Sequence, residues 1–298
     1  EGYKRQLITF QLSRIGYIPN SRLSVRHSER TISNTERPSQ ALRNSSGSSR
    51  KLCIDSVEGK TADACVSGGN TGALMALSRF RLKLLPGIER PALVSALPTA
   101  NGNKTWMLDL GANVSCDADT LFQFAVMGSA LAEQHLERTP TVAILNIGEE
   151  DIKGNDLVKR CAELLSDTDE VNYIGYVEGD QLLHDSADVV VCDGFVGNIA
   201  LKTSEGVAKL LMQFMREAFT RNMLTKLLGC LVRPILKKVK NRADPARYNG
   251  ASLVGLNGIV IKSHGSAGVL AYRQAIEEAI IEVQKNVLQL IPQRIATL

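Results

Sequence analysis

Residues Val189–Gly206 read VVVCDGFVGNIALKTSEG. The stretch opens as a buried strand of three valines and a cysteine. It breaks at Asp193, Gly194, Gly197 and Asn198, then resumes with helical spacing at Ile199, Leu201 and Val207. An unbroken apolar run that passes at once into a helix suits a strand covered on both faces, as in a parallel sheet. The stretch also poses a question. A core strand here ends in an acid, two glycines and an amide, with Lys202 and Glu205 close behind.

The same pattern recurs along the chain. Short continuous apolar runs predict strands over Ala62–Ser67, Ala92–Leu97, Thr105–Leu110, Val142–Ile147, Asn172–Val177, Val189–Cys192 and Ile259–Lys262. Helical patterns lie between them over Thr71–Leu85, Asp119–Glu137, Asn155–Leu165, Asn198–Phe219 and Val269–Leu288. The alternation predicts an α/β protein: one domain over residues 1–298, three αβα layers, and a mostly parallel sheet with helices on both faces. The serine-rich SQALRNSSGSS at Ser39–Ser49 reads as a flexible linker or a loop presenting hydroxyls to an anion. The start, EGYKRQLITFQLSRIGY, reads as a short amphipathic helix with Leu7, Phe10, Gln11 and Arg14 at helical spacing. No strand precedes it, which suggests an absent N-terminal piece.

Residues Arg221–Arg242, RNMLTKLLGCLVRPILKKVKNR, form a basic amphipathic insertion. Leu224, Leu227, Leu228, Leu231 and Ile235 share one helical face, and Lys226, Arg233, Lys237 and Lys240 share another. Pro234 predicts a kink or a split into two helices. Such a helix either packs on the core or a second subunit, or docks on a membrane surface.

Composition excludes several classes. A net charge of +4 is too small to argue for a nucleic-acid partner, and 5% aromatic residues give no stacking platform. The six cysteines include no CxxC pair, which argues against a cysteine zinc site. Cys65 and Cys192, inside apolar runs, read as reduced core residues of a cytoplasmic protein. No run approaches the ~18 apolar residues of a membrane span.

Polar residues gather at the predicted strand ends: GGNTGA after Ser67, GAN after Leu110, GEEDIKGN after Ile147, DGFVGN after Cys192 and SHGSA after Lys262. In an open parallel sheet these ends would face one ligand crevice. Each such turn is also ordinary turn and cap chemistry. Gly194 and Gly197 would let backbone approach a ligand, and Asn198 would open the next helix beside it. Asn70 and Thr71 stand at a helix start after two glycines, a place that favours an oxyanion. The spacing matches neither dinucleotide nor P-loop fingerprints. Lys153, Lys202 and Lys262 add point charges for phosphate. His264 is the one histidine read as catalytic or phosphate-binding. Asp109 and Asp193 could ligate magnesium, but cap helices or pair with lysines as readily, and no metal or cofactor is expected.

The blocks PSQALR, ACVSGGNTGALM, LPGIERPAL, LDLGANV, QFAVMGS, LNIGEEDIKGN, VCDGFVGNIALKTSEG and YNGASLVGLNGIVIKSHG together resemble the bacterial phosphate acyltransferase family (PlsX-type). The likeness runs from about Arg22 into the C-terminal helix. It departs at the start, where family members carry a strand and an Asp-x-Met-Gly-Gly-Asp loop, and at Arg50, where they usually have methionine. The resemblance implies a fold like phosphotransacetylase and isopropylmalate dehydrogenase. It implies transfer of a fatty acyl group from acyl-acyl carrier protein to inorganic phosphate, giving acyl-phosphate for phospholipid synthesis. The phosphopantetheine arm belongs to the carrier, so no bound cofactor is implied. By resemblance and position, Lys153, Asn198 and His264 would act at the reacting centre. Asn70, Thr71, Asn113, Lys202 and Lys262 would line the phosphate or carbonyl pocket. The resemblance further implies a homodimer, peripheral on the inner face of the cell membrane. It would dock through Leu224, Leu227, Leu228, Leu231, Ile235 and Lys237 and hand its product to a membrane glycerol-3-phosphate acyltransferase. Other readings are a different phosphate or CoA transacylase of the same architecture, a decarboxylating dehydrogenase, or an inactive fragment.

Overall fold

The structure, a computed structural model, describes residues 12, 14–16 and 23–296. The expected N-terminal helix lies almost wholly outside them. In chain order the elements are α1 (Pro38–Arg43), α2 (Ser49–Glu58), β1 (Ala64–Ser67), α3 (Thr71–Leu82), β2 (Ala92–Pro98), β3 (Lys104–Leu108), α4 (Ala118–Leu136) and β4 (Thr141–Leu145). Then come α5 (Asp156–Ser166), β5 (Asn172–Val177), β6 (Val189–Val191), α6 (Gly194–Thr220), α7 (Met223–Ala243), a 3-10 turn (Pro245–Tyr248), β7 (Ala251–Val254), β8 (Ile259–Lys262), α8 (Val269–Gln284) and α9 (Val287–Ile295).

The eight strands form one sheet in the order β1-β8-β7-β2-β3-β6-β4-β5. The central runs Trp106–Leu108, Val142–Leu145 and Val189–Val191 are apolar at every position because both faces are covered. Trp106, Leu108, Val142, Ile144, Val189 and Val191 point to one side, into a core built on α4. Met107, Ala143 and Val190 point to the other, into a cluster that extends across the sheet to Ile54 of α2 and Leu74 and Leu77 of α3. Beyond β2 the same alternation continues. Ile259 and Ile261 of β8 meet Ala275 and Ala279 of α8, while Val260 joins the α3 side. Three layers follow directly. Helix α4 sits so close to the sheet that a Cβ at Gly128 would come within 2.8 Å of Leu108 and Val189.

The sheet is mixed: most of its pairings are parallel, as expected, and three antiparallel ones are added around β2 and β7. β1–β8, β3–β6, β4–β6 and β4–β5 pair parallel, but β2 runs antiparallel to β3 and β7, and β7 antiparallel to β8. The β2–β3 link is a hairpin closed by Thr99 N–H to the Asn103 carbonyl at 3.2 Å. So short a link cannot make the crossover of a dozen or more residues that parallel strands need.

Other expectations also shift. Ser39–Ser49 is neither a linker nor an anion loop, because most of it lies in α1 and at the start of α2. Its serines close the turn between them: Ser45 Oγ donates to the Leu42 carbonyl at 2.9 Å, and Ser48 caps α2 by accepting from Lys51 N. The helix expected over Val269–Leu288 breaks at Asn286, whose φ is +53°. Pro234 does not split its segment; α7 runs through it. The break falls earlier, at Asn222, which caps α7 in a reciprocal box with Thr225.

Candidate active site

The question posed by Val189–Gly206 has its answer 80 residues upstream. Asp109, at the end of β3, is fully buried. Its carboxylate accepts from the N–H groups of Leu93 (2.9 Å), Gly111 (3.2 Å), Ala112 (3.0 Å) and Asn113 (2.6 Å), and from Asn113 Nδ2 (3.0 Å). Burial lifts the carboxyl above its usual range, and these donors oppose the shift. The result is a tight loop over residues 109–113, and the start of α6 is pressed against it. A Cβ at Gly197 would lie 1.9 Å from the Asp109 carbonyl oxygen, and one at Gly194 would lie 2.5 Å from the Asn113 carbonyl oxygen. The glycines therefore admit this loop, not a ligand.

Asp193 is the N-cap of α6, accepting from Val196 N at 2.9 Å. Gly194 N donates to the Asn113 carbonyl, and Gly197 N to the Asp193 carbonyl. Three amides of the first turn are thus spent on protein partners, leaving the helix end little to offer an anion. Asn198 does not open α6 as expected. It lies in the second turn, exposed, with its side chain over Gly111. Lys202, one turn further, pairs with Glu205 at 3.0 Å.

The loop after β4 stands beside them, since β3, β6 and β4 are neighbours running in one direction. Buried Asn146 knits this loop. Its backbone N–H reaches the Val177 carbonyl at 2.9 Å, its Nδ2 donates to the Lys153 carbonyl at 3.4 Å, and its Oδ1 crowds the Cα of Gly154 (φ +85°). Lys153 is exposed, flanks Gly148 together with Glu150, and makes no ion pair among the described residues.

The remaining expected residues stand elsewhere. The ends of β1 and β8 fall beside the start of β7 and hence the far end of β2, because Ala251 pairs with Lys262 and Val94 with Ser252. Asn70, Thr71, Lys262 and His264 therefore occupy the opposite edge of the sheet from Asn198 and Lys153, and the single row of strand ends expected from a parallel sheet is not formed. The antiparallel β2 and β7 are the cause. At this second edge Asn70 caps α3, accepting from Ala73 N at 2.9 Å and donating to the Asn34 carbonyl at 2.6 Å. Thr71 begins that helix. Lys262 Nζ donates to the Ser263 carbonyl. His264 is exposed; its N–H donates to Asn249 Oδ1 at 2.8 Å, and its Nδ1 accepts from Ser266 N at 3.2 Å. That places the proton of the neutral ring on Nε2. Asn113, expected in the substrate pocket, has its Nδ2 committed to Asp109 and the Pro91 carbonyl (2.7 Å). Its work is to hold the loop.

Three residues escaped the sequence reading in these roles. Asp109 was seen only as a possible ligand or cap. Asn146 and Arg50 were not seen as organisers. Arg50 is buried beneath Gly69, where a Cβ would fall 1.7 Å from its Nη2. Its spacing with Ile54 and Val57 on α2, all three buried, was the available signal. Among the described residues no group of three or more His, Cys, Asp or Glu side chains is placed to hold a metal ion.

Comparison with known proteins fits this architecture. The solved phosphotransacetylase of Streptococcus pyogenes superposes with TM-score 0.59 at 17% identity, covering 95% of this chain and 84% of its own. The EutD phosphotransacetylase of Staphylococcus aureus does so with TM-score 0.58 at 15% identity, with the same coverage. At these identities the likeness concerns the fold. A family model described as "Fatty acid synthesis protein" matches residues 6–290. The phosphate acyltransferase of Vibrio campbellii is 63% identical over 294 residues, spanning 98% of this chain and 85% of that protein, and that of Vibrio atlanticus is 65% identical over the same span. With identity of this order over nearly its whole length, the chain belongs to the phosphate acyltransferase family of fatty acid synthesis proteins and is an acyltransferase.

Proposed function

We propose that the protein transfers a fatty acyl group from acyl-acyl carrier protein to inorganic phosphate, releasing acyl-phosphate for phospholipid synthesis. The observation that carries this reading is the adjacency of three loops at the ends of the parallel strands β3, β6 and β4. They present an unpaired ammonium, Lys153, and an exposed amide, Asn198, above a rigid base held by Asp109. A phosphate oxygen attacks the thioester carbonyl carbon, the carbonyl oxygen becomes an oxyanion, and the carrier's thiolate leaves. Lys153 Nζ and Asn198 Nδ2 are the donors assigned to that oxyanion; such preorganised donors act where charge develops. Holding phosphate and thioester together contributes further, since no covalent enzyme intermediate is required. Lys202 lies i+4 from Asn198 on the same helix face, with its charge balanced by Glu205. The step routes nothing through His264, which stands at the opposite strand edge. We place Thr71, Lys262 and His264 in a second polar cluster.

Peripheral attachment and pairing rest on α6 and α7. The two pack against each other, and no helix is long and apolar enough to cross a membrane among the described residues. The expected stripe on α7 is uncovered: Leu224 is 66% exposed, Leu227 61%, Leu228 46%, Leu231 71% and Ile235 63%. Exposed Lys226, Arg233 and Lys237 accompany it; Lys240 lies outside the residues with described side chains. We assign this face to an anionic membrane on the cytoplasmic side, and the exposed Phe195, Val196, Ile199 and Val207 of α6 to a second copy. A membrane glycerol-3-phosphate acyltransferase would then consume the product.

The test is acyl-phosphate formation, trapped as the hydroxamate. Long-chain acyl-carrier thioester and phosphate are compared with acetyl-CoA and phosphate. Turnover of the carrier thioester without nicotinamide cofactor supports the reading; preference for acetyl-CoA overturns it.

A further inference from the structure

We propose that Cys53 and Cys65 are a peroxide-sensitive dithiol that closes reversibly into a disulfide, a modification site separate from the acyl-transfer loops. Cys53 lies on α2 and Cys65 on β1. Their sulfurs are 2.7 Å apart. Unbonded heavy atoms ordinarily rest roughly 3.5–4.0 Å apart, so these two already face each other across the helix–strand contact. Both are free thiols.

Their surroundings differ in a way that assigns roles. Cys53 is half-buried, whereas Cys65 has no exposed surface. An oxidant therefore meets Cys53 first, and Cys65 waits behind it. The hydrogen bond with Cys65 pulls the Cys53 thiol below its usual range against the effect of burial, and Val66 N–H assists. The same hydrogen bond, with burial, pushes Cys65 far up. Of the two, the more accessible sulfur is thus the one more readily ionised, the arrangement of a peroxide-reactive cysteine with a resolving partner. Arg50, three residues before Cys53 on α2, adds a positive charge that opposes, without cancelling, the rise at Cys65.

The chemistry balances with hydrogen peroxide as oxidant. The Cys53 thiolate attacks one peroxide oxygen; the O–O bond breaks, leaving a sulfenic acid and, after protonation, water. The Cys65 sulfur then attacks the Cys53 sulfur. The S–O bond breaks, its hydroxyl takes the Cys65 proton, and a second water leaves. Two thiols have lost two electrons and two protons, and the peroxide has gained them. The new bond ties α2 to β1 just ahead of the Gly68–Thr71 loop, beside the contact of Arg50 with Gly69.

The experiment treats the full chain with hydrogen peroxide, blocks free thiols and digests it unreduced with trypsin. Cleavage after Lys51, Lys60 and Arg79 gives the peptides 52–60 and 61–79. The expected product is these two joined, lighter than their sum by two hydrogens and separated by dithiothreitol. In Cys65→Ser, Cys53 is expected to stop at the sulfenic acid, trapped by dimedone. In Cys53→Ser, Cys65 is expected to remain an alkylatable thiol. The proposal is overturned if both thiols stay alkylatable while exposed Cys230 is oxidised. It is equally overturned if wild-type Cys53 passes to sulfinic acid as readily as in Cys65→Ser.

Discussion

Glu282 carries a charge problem that can be read in one variant. It lies on α8, 2% exposed, with Glu278 one turn before it and Ser252 and His135 alongside. Burial and the charge of Glu278 push its pKa up to about 8, against the opposing pull of Ser252 and His135. An ordinary glutamate titrates near 4.3. Below that value the carboxyl is protonated in both folded and unfolded chains, and the group is neutral in its effect. As pH rises toward 8 the unfolded chain ionises first, so the folded state loses about 1.4 kcal/mol per pH unit. At pH 7 the accumulated loss is about 3 to 4 kcal/mol. Glu282→Gln keeps the shape and removes the ionisation. Urea unfolding of both proteins at pH 5, 6, 7 and 8 should show a gap in favour of the variant that is about 1 kcal/mol at pH 5 and widens to about 3 to 4 kcal/mol by pH 7. His135 is present in both proteins, raised because its hydrogen bond and charge contact with Glu278 outweigh burial. A stability difference that does not change between pH 5 and pH 8 would refute the reasoning, because it would mean that Glu282 ionises alike in both states.

Other outcomes follow from the same geometry. Lys153→Ala and Asn198→Ala should each lower kcat by about 10²–10³, the scale of one lost oxyanion donor, with thermal midpoints near wild type because both side chains are exposed; retention of more than half the activity removes that residue from the step. Gly197→Ala should destabilise by about 3 kcal/mol or more, since its Cβ would fall 1.9 Å from the Asp109 carbonyl oxygen, and differential scanning calorimetry reads the drop directly. Leu224→Glu combined with Leu231→Glu should abolish sedimentation with anionic vesicles, and wild-type binding should weaken as salt rises; far-UV circular dichroism confirms that the variant keeps its helices.

Much of the fold was legible because burial on both faces leaves a plain mark. Val189–Val191 and Val142–Ile144 are apolar at every position, and the core shows why: odd and even residues face different helices. That mark reports burial and is silent on direction. Strand β2 reads like the parallel strands of the sheet, yet the clue to its reversal was in the chain. Only a short loop links it to β3, which permits a hairpin and forbids a crossover. β7, the four residues ASLV between Gly250 and Gly255, was not read as a strand, since Ala251 and Ser252 leave only Leu253 and Val254 as an apolar run. The serines around Ser45 and Ser48 misled for a related reason, since a hydroxyl that closes a turn looks in sequence like one offered to solvent.

The site was half legible, and the division follows sequence distance. Asp193 as a helix cap is a local event, visible within four residues. The need for Gly194 and Gly197 was visible too, but not its cause, because the atoms they admit belong to residues 109 and 113. Those residues are held by a carboxylate whose five donors come from Leu93, Gly111, Ala112 and Asn113, a convergence no short motif displays. The same reversal at β2 that escaped the reading also separated the expected site. β7 turns back against β2 and β8 against β7, so β8 runs in the reversed direction of β2, and this took Lys262 and His264 to the edge away from Asn198. An error about one connection thus became an error about which side chains can meet. Strand polarity must therefore be argued from loop length before strand ends are grouped into a site.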